Sequence, residues 1–148
     1  MMQRLRWLAR RNPAQAVATL EAAVLLGASR LAIILLPSDR LSLILGEPQS
    51  ESERRELTEA ERPKIAQVRW AITGVSNRTP WTSNCLPQAV AGKYMLKRRG
   101  LDSTIYIGAA FTETKDALRA HAWLRCGKAP VTGGTNNESE FGAIASYF

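Results

Sequence analysis

Residues 79–100, TPWTSNCLPQAVAGKYMLKRRG, decide the fold because they contain both ends of one helix. Ser83 and Asn84 belong to the residue types that cap helix N-termini, and Pro87 falls in the first turn, where a missing backbone N–H costs nothing. The last turn is basic and a glycine follows it, as the helix dipole and a C-cap favour. The sequence therefore predicts a helix with Cys85 at or next to its first turn.

Downstream of this helix, the pattern changes to the alternation of apolar and polar residues that is typical of strands. A loop is expected at 109–117, and Gly127 with Lys128 can form a turn. Helices followed by short strands joined by turns indicate an α+β fold with an antiparallel sheet. The predicted strands are 103–108, 120–126, 129–133 and 142–148.

Upstream, residues 13–35 predict an amphipathic or largely buried helix that Pro37 ends. A second short helix is expected at 40–45, capped by Ser38 or Asp39. Residues 47–60 are polar and predict a solvated linker, and a further helix is expected at 64–75. We divide the chain into an N-terminal helical arm with its linker, 1–60, and a domain, 61–148. The apolar stripe of the arm consists of Val17, Leu20, Val24, Ala28 and Leu31.

The arm is apolar, but Glu21 and Arg30 interrupt it. No uninterrupted apolar stretch approaches the roughly 20 residues needed to cross a bilayer, and no cleavage site typical of a signal peptide follows. We expect the arm to pack on the domain, on a partner or on a membrane surface.

The chain has 148 residues, 45% of them hydrophobic and 22% charged, which is typical of one globular domain. The net charge of +7 favours anionic partners without choosing among them. A basic module that binds nucleic acid or membrane is thus one alternative function. The basic residues form no single stripe interleaved with aromatics, so we expect no nucleic acid partner.

Two cysteines, Cys85 and Cys126, and a single histidine, His121, cannot supply a structural metal site. We therefore expect no metal and no cofactor. Free thiols suit a reducing cytosol, which predicts a cytoplasmic protein.

A helix N-terminus lowers the pKa of a thiol, so the position of Cys85 suits a nucleophile. His121 opens a predicted strand, and a strand beside the helix start would bring its imidazole to the thiol as a proton acceptor. The alternative is that both residues are structural, since free cysteines are often buried. Trp81 and Trp123 are likewise typical of core or rim aromatics.

Three segments together resemble the leader-peptidase part of the B protein of lasso-peptide biosynthesis: PWTSNCLPQAVAGKYMLKRRG, STIYIGA and AHAWLRCGKAPVTGG. That family belongs to the transglutaminase-like, papain-related cysteine peptidases. The shared features, in order, are a Trp before a Cys-Leu-x-Gln-Ala helix start, a basic helix end closed by Gly, and an Ala-His-Ala-Trp strand. The resemblance implies a papain- or transglutaminase-like fold in which the helix bearing the nucleophile packs on a small antiparallel sheet.

By this resemblance, Cys85 is the nucleophile and His121 the general base and acid. Gln88 and Trp81 match residues that support the site, and the backbone N–H of Cys85 is the expected oxyanion donor.

The third catalytic residue departs from the family, which has an Asp after the strand hairpin. No Asp follows Asp116 here. A hairpin turning at 127–128 puts the residue opposite His121 near Gly134, so the orienting residue is expected at or beyond that point. Glu138 is the favoured candidate because it keeps the negative charge, with Asn136 and Asn137 as alternatives and Glu140 and Asp116 ranked lower.

The first 80 or so residues lack the strands of a leader-binding module. The resemblance then implies the split form, whose partners are a lasso precursor peptide, a separate leader-recognition protein and an ATP-dependent macrolactam synthetase. The reaction expected is leader cleavage through an acyl-enzyme, with transglutaminase-like acyl transfer as the alternative.

Overall fold

The computed structural model describes residues 12–80, 84–135 and 137–148, apart from the side chain of Glu138. The strands form one antiparallel sheet in the order β3-β2-β1-β4, which confirms the predicted α+β class. The strand β1 runs further than expected, and α5 was not predicted. The elements are α1 (Pro13–Leu35), α2 (Ser38–Leu45), α3 (Arg62–Ser76), α4 (Cys85–Arg98), β1 (Thr104–Phe111), β2 (Leu118–Cys126), β3 (Ala129–Thr132), α5 (Asn137–Glu140) and β4 (Gly142–Tyr147).

Helix α4 lies very close to the sheet. A Cβ atom built on Gly92 would stand 2.8 Å from Leu124 Cδ2 and 3.4 Å from Thr132 Cγ2, so only glycine fits there without a shift. The close approach buries Leu124 completely within the main core. That core is formed by α1, α3, α4 and the facing side chains of the sheet.

The two faces of β2 have different partners because side chains alternate along a strand. Leu124 and Cys126 belong to the main core with α3 and α4. Trp123 lies on the other face, where its ring stacks on Tyr106 with centroids 5.4 Å apart and a small cluster forms with Phe141. Gly108 of β1 leaves room for the Trp123 ring, since a Cβ atom there would lie 2.9 Å from two of its carbons.

The segment 47–60, expected to be a solvated linker, is hydrogen-bonded to the sheet. Ser52 is 4% exposed, and its backbone N–H donates to Thr104 Oγ1 over 2.8 Å. Glu47 and Phe148 exchange two backbone hydrogen bonds, and the N–H of Lys128 donates to the carbonyl of Arg55. The expected solvent exposure holds for most side chains of the segment, but its backbone also pairs with the sheet, which polar side chains do not prevent. The domain boundary at residue 60 stays a prediction.

Helix α1 packs on α3 and α4 through small residues, among them Ala18 and Ala22, together with Leu26. The predicted apolar stripe faces away from the domain instead, with Val17, Leu20 and Val24 each more than 60% exposed. Small side chains form the contact because they let the helix backbones approach closely. Within the described residues, α1 is also long and apolar enough to cross a membrane by length and composition, with a mean hydropathy of 1.8.

An ion pair fixes α1 to α4. The carboxylate of Glu21 accepts hydrogen bonds from both terminal nitrogens of Arg99, at 3.3 and 2.9 Å, and lies 3.4 Å from Arg98 Nη1. The Glu21 side chain is 8% exposed, so the arm docks on the domain through a largely desolvated charge.

We expect Glu21→Ala to lower the free energy of unfolding by about 2 kcal/mol, because Arg99 is then left with one partner fewer in a partly buried place. Urea denaturation measures the loss. Glu59→Ala is the matched control, since the Glu59 side chain is 97% exposed and lies 3.7 Å from Arg62. Equal losses in the two variants would contradict the structural role of Glu21.

Candidate functional site

Cys85 is the first residue of α4, as predicted, and it is partly buried. Asn84 occupies the N-cap position, but within the described residues its side chain makes no capping hydrogen bond. Pro87, in the first turn, has no backbone N–H. Among the described residues, the Asn84 side chain thus leaves the N–H groups of this turn and the positive end of the helix dipole to stabilise negative charge at or beside the Cys85 sulfur.

His121 lies in β2 on the face that carries Trp123. Its ring is stacked with that of Trp123, with centroids 6.1 Å apart, and tilted against Phe141 at 4.9 Å. The ring is thus partly buried between two aromatic neighbours, which restrict how it turns.

A backbone carbonyl orients the imidazole. His121 Nε2 lies 2.7 Å from the carbonyl oxygen of Gly133. A carbonyl oxygen only accepts hydrogen bonds, so Nε2 carries the proton and Nδ1 of the neutral ring has a free lone pair. The ring is therefore in the tautomer that accepts a proton at Nδ1.

Glycine is required at position 133. Its φ of 88° is in the left-handed region, and a Cβ atom would lie 2.6 Å from Trp123 Cβ and 2.8 Å from the carbonyl oxygen of Ala122. The sequence does not reveal this orienting group, because every residue has a main-chain carbonyl. The available signal was the pair Gly133–Gly134 after a strand.

The structure describes only some of the predicted orienting side chains. Glu138 is in α5, but its side chain lies outside the described residues, as does Asn136, so both stay predictions. Asn137 is buried, and its amide donates to the carbonyl of Gly134 over 2.9 Å, which holds the turn next to the carbonyl that His121 uses. Asp116 accepts hydrogen bonds from two threonines of the loop between β1 and β2.

Gln88 and Gly133 line the same cleft, which has a volume of about 360 Å³. Gln88 lies three residues after Cys85, and residues at this spacing are neighbours on a helix surface. Arg69 of α3 also lines the cleft and donates to the carbonyl of Pro130. The cleft thus connects the start of α4 with the turn that orients the histidine. Trp81, the other predicted supporting residue, is outside the described residues.

Cys85 and His121 lie toward the same end of the molecule. Gln88, one turn along α4 from Cys85, lines the same cleft as Gly133, whose carbonyl oxygen lies 2.7 Å from His121 Nε2. His121 nevertheless lies on the face of β2 opposite to Leu124. Among the hydrogen bonds between described residues, none joins Cys85 to His121, so their catalytic pairing stays a prediction.

A second cleft, of about 290 Å³, opens on the Trp123 face and is lined by Arg54, Arg125 and Lys128. Arg125 is buried and donates to the Tyr106 hydroxyl and to the carbonyl of Ser52, at 2.9 Å each. The Tyr106 hydroxyl in turn donates to Glu51, and this hydrogen bond, aided by the two arginines, lowers the pKa of that carboxyl. Arg54 and Arg125 both lie within 3.5 Å of Glu51, and Lys128 pairs with Glu56, so the three cations of the cleft have anionic partners within the chain.

Residues 31–146 match the model of the transglutaminase-like superfamily, from within α1 to within β4. No curated protein and no solved structure matches the chain significantly. In the described part of the chain, no group of three or more metal-ligating side chains comes together.

Gly133→Ala should displace the carbonyl of residue 133, so that His121 is no longer held in a single tautomer. Because the chain has one histidine, the ¹⁵N chemical shifts of a histidine-labelled sample report on this ring without ambiguity. We expect the wild type to show a proton on Nε2 and the variant a mixture of tautomers. Gly100→Ala is the control, since Gly100 also has a positive φ, 73°, but nothing lies within 4 Å of its Cβ position. Identical shifts in wild type and Gly133→Ala would refute the orienting role.

Proposed function

Because the chain belongs to the transglutaminase-like superfamily, we propose that it is a cysteine peptidase with Cys85 as nucleophile and His121 as general base and acid. The observation that carries the proposal is the position of Cys85 as the first residue of α4, in a chain whose match to this family spans the whole helix. The thiolate is the reactive form of cysteine, and an uncapped helix start stabilises it.

In the proposed reaction, the Cys85 thiolate attacks the carbonyl carbon of the last leader residue. The tetrahedral oxyanion is stabilised by the backbone N–H of Cys85, and its collapse breaks the peptide bond. His121, which has taken the thiol proton, returns it to the leaving amine and leaves an acyl-enzyme. Water, deprotonated by His121, then attacks the thioester and releases the leader as a free acid.

His121 Nδ1 is the atom that accepts the proton in this scheme. The imidazolium that forms keeps its Nε2–H hydrogen bond with the carbonyl of Gly133, whose dipole stabilises the positive charge. The proposal requires the Cys85 sulfur and His121 Nδ1 to approach each other in the substrate complex. Catalytic hydrogen bonds often tighten only there.

The proposed substrate is a lasso-peptide precursor, and its support is the resemblance in sequence around Cys85 and His121. A separate leader-recognition protein would present the precursor in the cytoplasm, and an ATP-dependent macrolactam synthetase would use the amine that cleavage frees.

Acyl transfer is the second candidate, because the superfamily includes acyltransferases as well as cysteine peptidases. The two reactions share the acyl-enzyme and differ in what attacks it. Mass spectrometry of the products separates them, since hydrolysis in H₂¹⁸O places the label in the leader and transfer does not.

Cys85→Ala and His121→Ala should each abolish cleavage of the precursor in the presence of the leader-recognition protein, because each removes a reacting group. Mass spectrometry of the precursor measures the loss, and circular dichroism shows that the variants are folded. Cys126→Ala is the control and should keep cleavage near the wild-type rate, since Cys126 is 1% exposed in the main core. Full activity of Cys85→Ala would remove the basis of the proposal.

The two thiols should also differ in reactivity. Burial raises the pKa of the Cys126 thiol, which keeps it protonated where an ordinary thiol begins to ionise. Brief treatment of the native protein with iodoacetamide at pH near 7 should therefore modify Cys85 alone, and peptide mapping locates the adduct. Preferential labelling of Cys126 would contradict the assignment of Cys85 as the reactive thiol.

A further inference from the structure

One face of α1 is apolar along its length and is not covered by any described part of the chain. Between its large apolar side chains, this face contains only alanine and glycine, so it presents no polar side chain. From residue 17 to residue 35 it extends about 27 Å. Contiguous exposed apolar surfaces of this kind mark sites of interaction. The large side chains of the face, each 59–72% exposed, are Val17, Leu20, Val24, Leu31, Ile34 and Leu35.

The orientation of this face is fixed. The opposite side of α1 packs on α3 and α4 through residues that are fully buried, such as Ala22 and Leu26. Glu21 holds the helix in this rotation through its two hydrogen bonds with Arg99. Turning the apolar face inward would break this ion pair and expose a packed surface, so the apolar face is a stable feature of the fold.

The N-terminal part of the sequence is basic. Residues 1–46 contain six arginines and two acidic residues, and one of these, Glu21, is already paired. The first eleven residues contain four of the arginines, together with Trp7, and no acidic residue. A sequence rich in arginine, with a tryptophan, that precedes an apolar helix in the chain is typical of segments that bind the interface of an anionic membrane.

A protein partner is a weaker match for this face. Protein interfaces are on average only a little more than half apolar and contain hydrogen-bonding groups. The outward face of α1 offers none, whereas lipid acyl chains need none. We propose that α1 docks lengthwise on an anionic membrane surface, with its outward face in the boundary between head groups and acyl chains.

This mode of docking keeps the domain intact. A helix that crossed the membrane would have to leave α3 and α4 and carry Glu21 into the hydrocarbon, where a charge is costly. A helix that lies on the surface keeps both contacts. Since α1 packs on α3 and α4, and α4 packs on the sheet, the sheet face with His121 and Trp123 points away from the lipid.

Sedimentation of the full chain with vesicles tests the proposal. We expect binding to vesicles of phosphatidylcholine mixed with phosphatidylglycerol, weaker binding to phosphatidylcholine alone, and a decrease with added salt. Leu20→Glu should lower partitioning at least about tenfold, because it places a charge in the buried face. Leu118→Glu is the matched control and should leave binding unchanged, since Leu118 of β2 is 64% exposed but outside α1, against 67% for Leu20.

Three outcomes would overturn the proposal. The first is no binding to anionic vesicles by the folded chain, and the second is binding that Leu20→Glu leaves intact. The third is resistance of the bound chain to alkaline carbonate, which would indicate a spanning helix. Self-association that is lost in Leu20→Glu, without lipid binding, belongs to the first outcome and would assign the face to a second copy. Urea denaturation of both variants establishes that they are folded.

Discussion

The contact of Gly92 with Leu124 is the constraint on which the arrangement of the molecule depends. It brings the backbone of α4 against β2 and thereby sets how far along the strand each turn of the helix lies. The start of α4 and the start of β2 are then brought to one end, and the cleft that Gln88 shares with Gly133 lies between them. A side chain at position 92 would require the Leu124 side chain, or the helix itself, to shift.

Much of this fold follows from local signals in the sequence. The helix start at Cys85 and the strand around His121 were predicted because helix termini and alternation are short-range properties. The outward orientation of the apolar stripe of α1 was not predicted, since a helix with apolar residues on most of its surface has no unique inner face. The burial of Ser52 was not predicted either, because the sequence does not distinguish a polar residue that is hydrogen-bonded to a distant threonine from a solvated one.

The candidate site divides in the same way. Cys85 and His121 have reactive side chains and were identified by residue type. The group that orients His121 is a main-chain carbonyl, and its position depends on the tertiary structure. The net charge of the chain likewise did not identify a binding partner. The structure assigns part of it to internal pairs, such as Arg125 with Glu51 and Arg55 with Glu61. The location of unpaired charges is therefore a better guide to binding partners than the net charge of the chain.

The irregular pairing of β3 has a consequence for how this site tolerates change. Leu124 pairs with Thr132 and Arg125 with Pro130, so Val131 is an extra residue that sets which carbonyl faces the imidazole. An orienting group made of backbone survives most side-chain replacements around it, but it is lost when the hairpin gains or loses one residue. Apart from the glycine required at position 133, the integrity of this orienting group thus depends more on the length of the β3 segment than on the identity of its side chains.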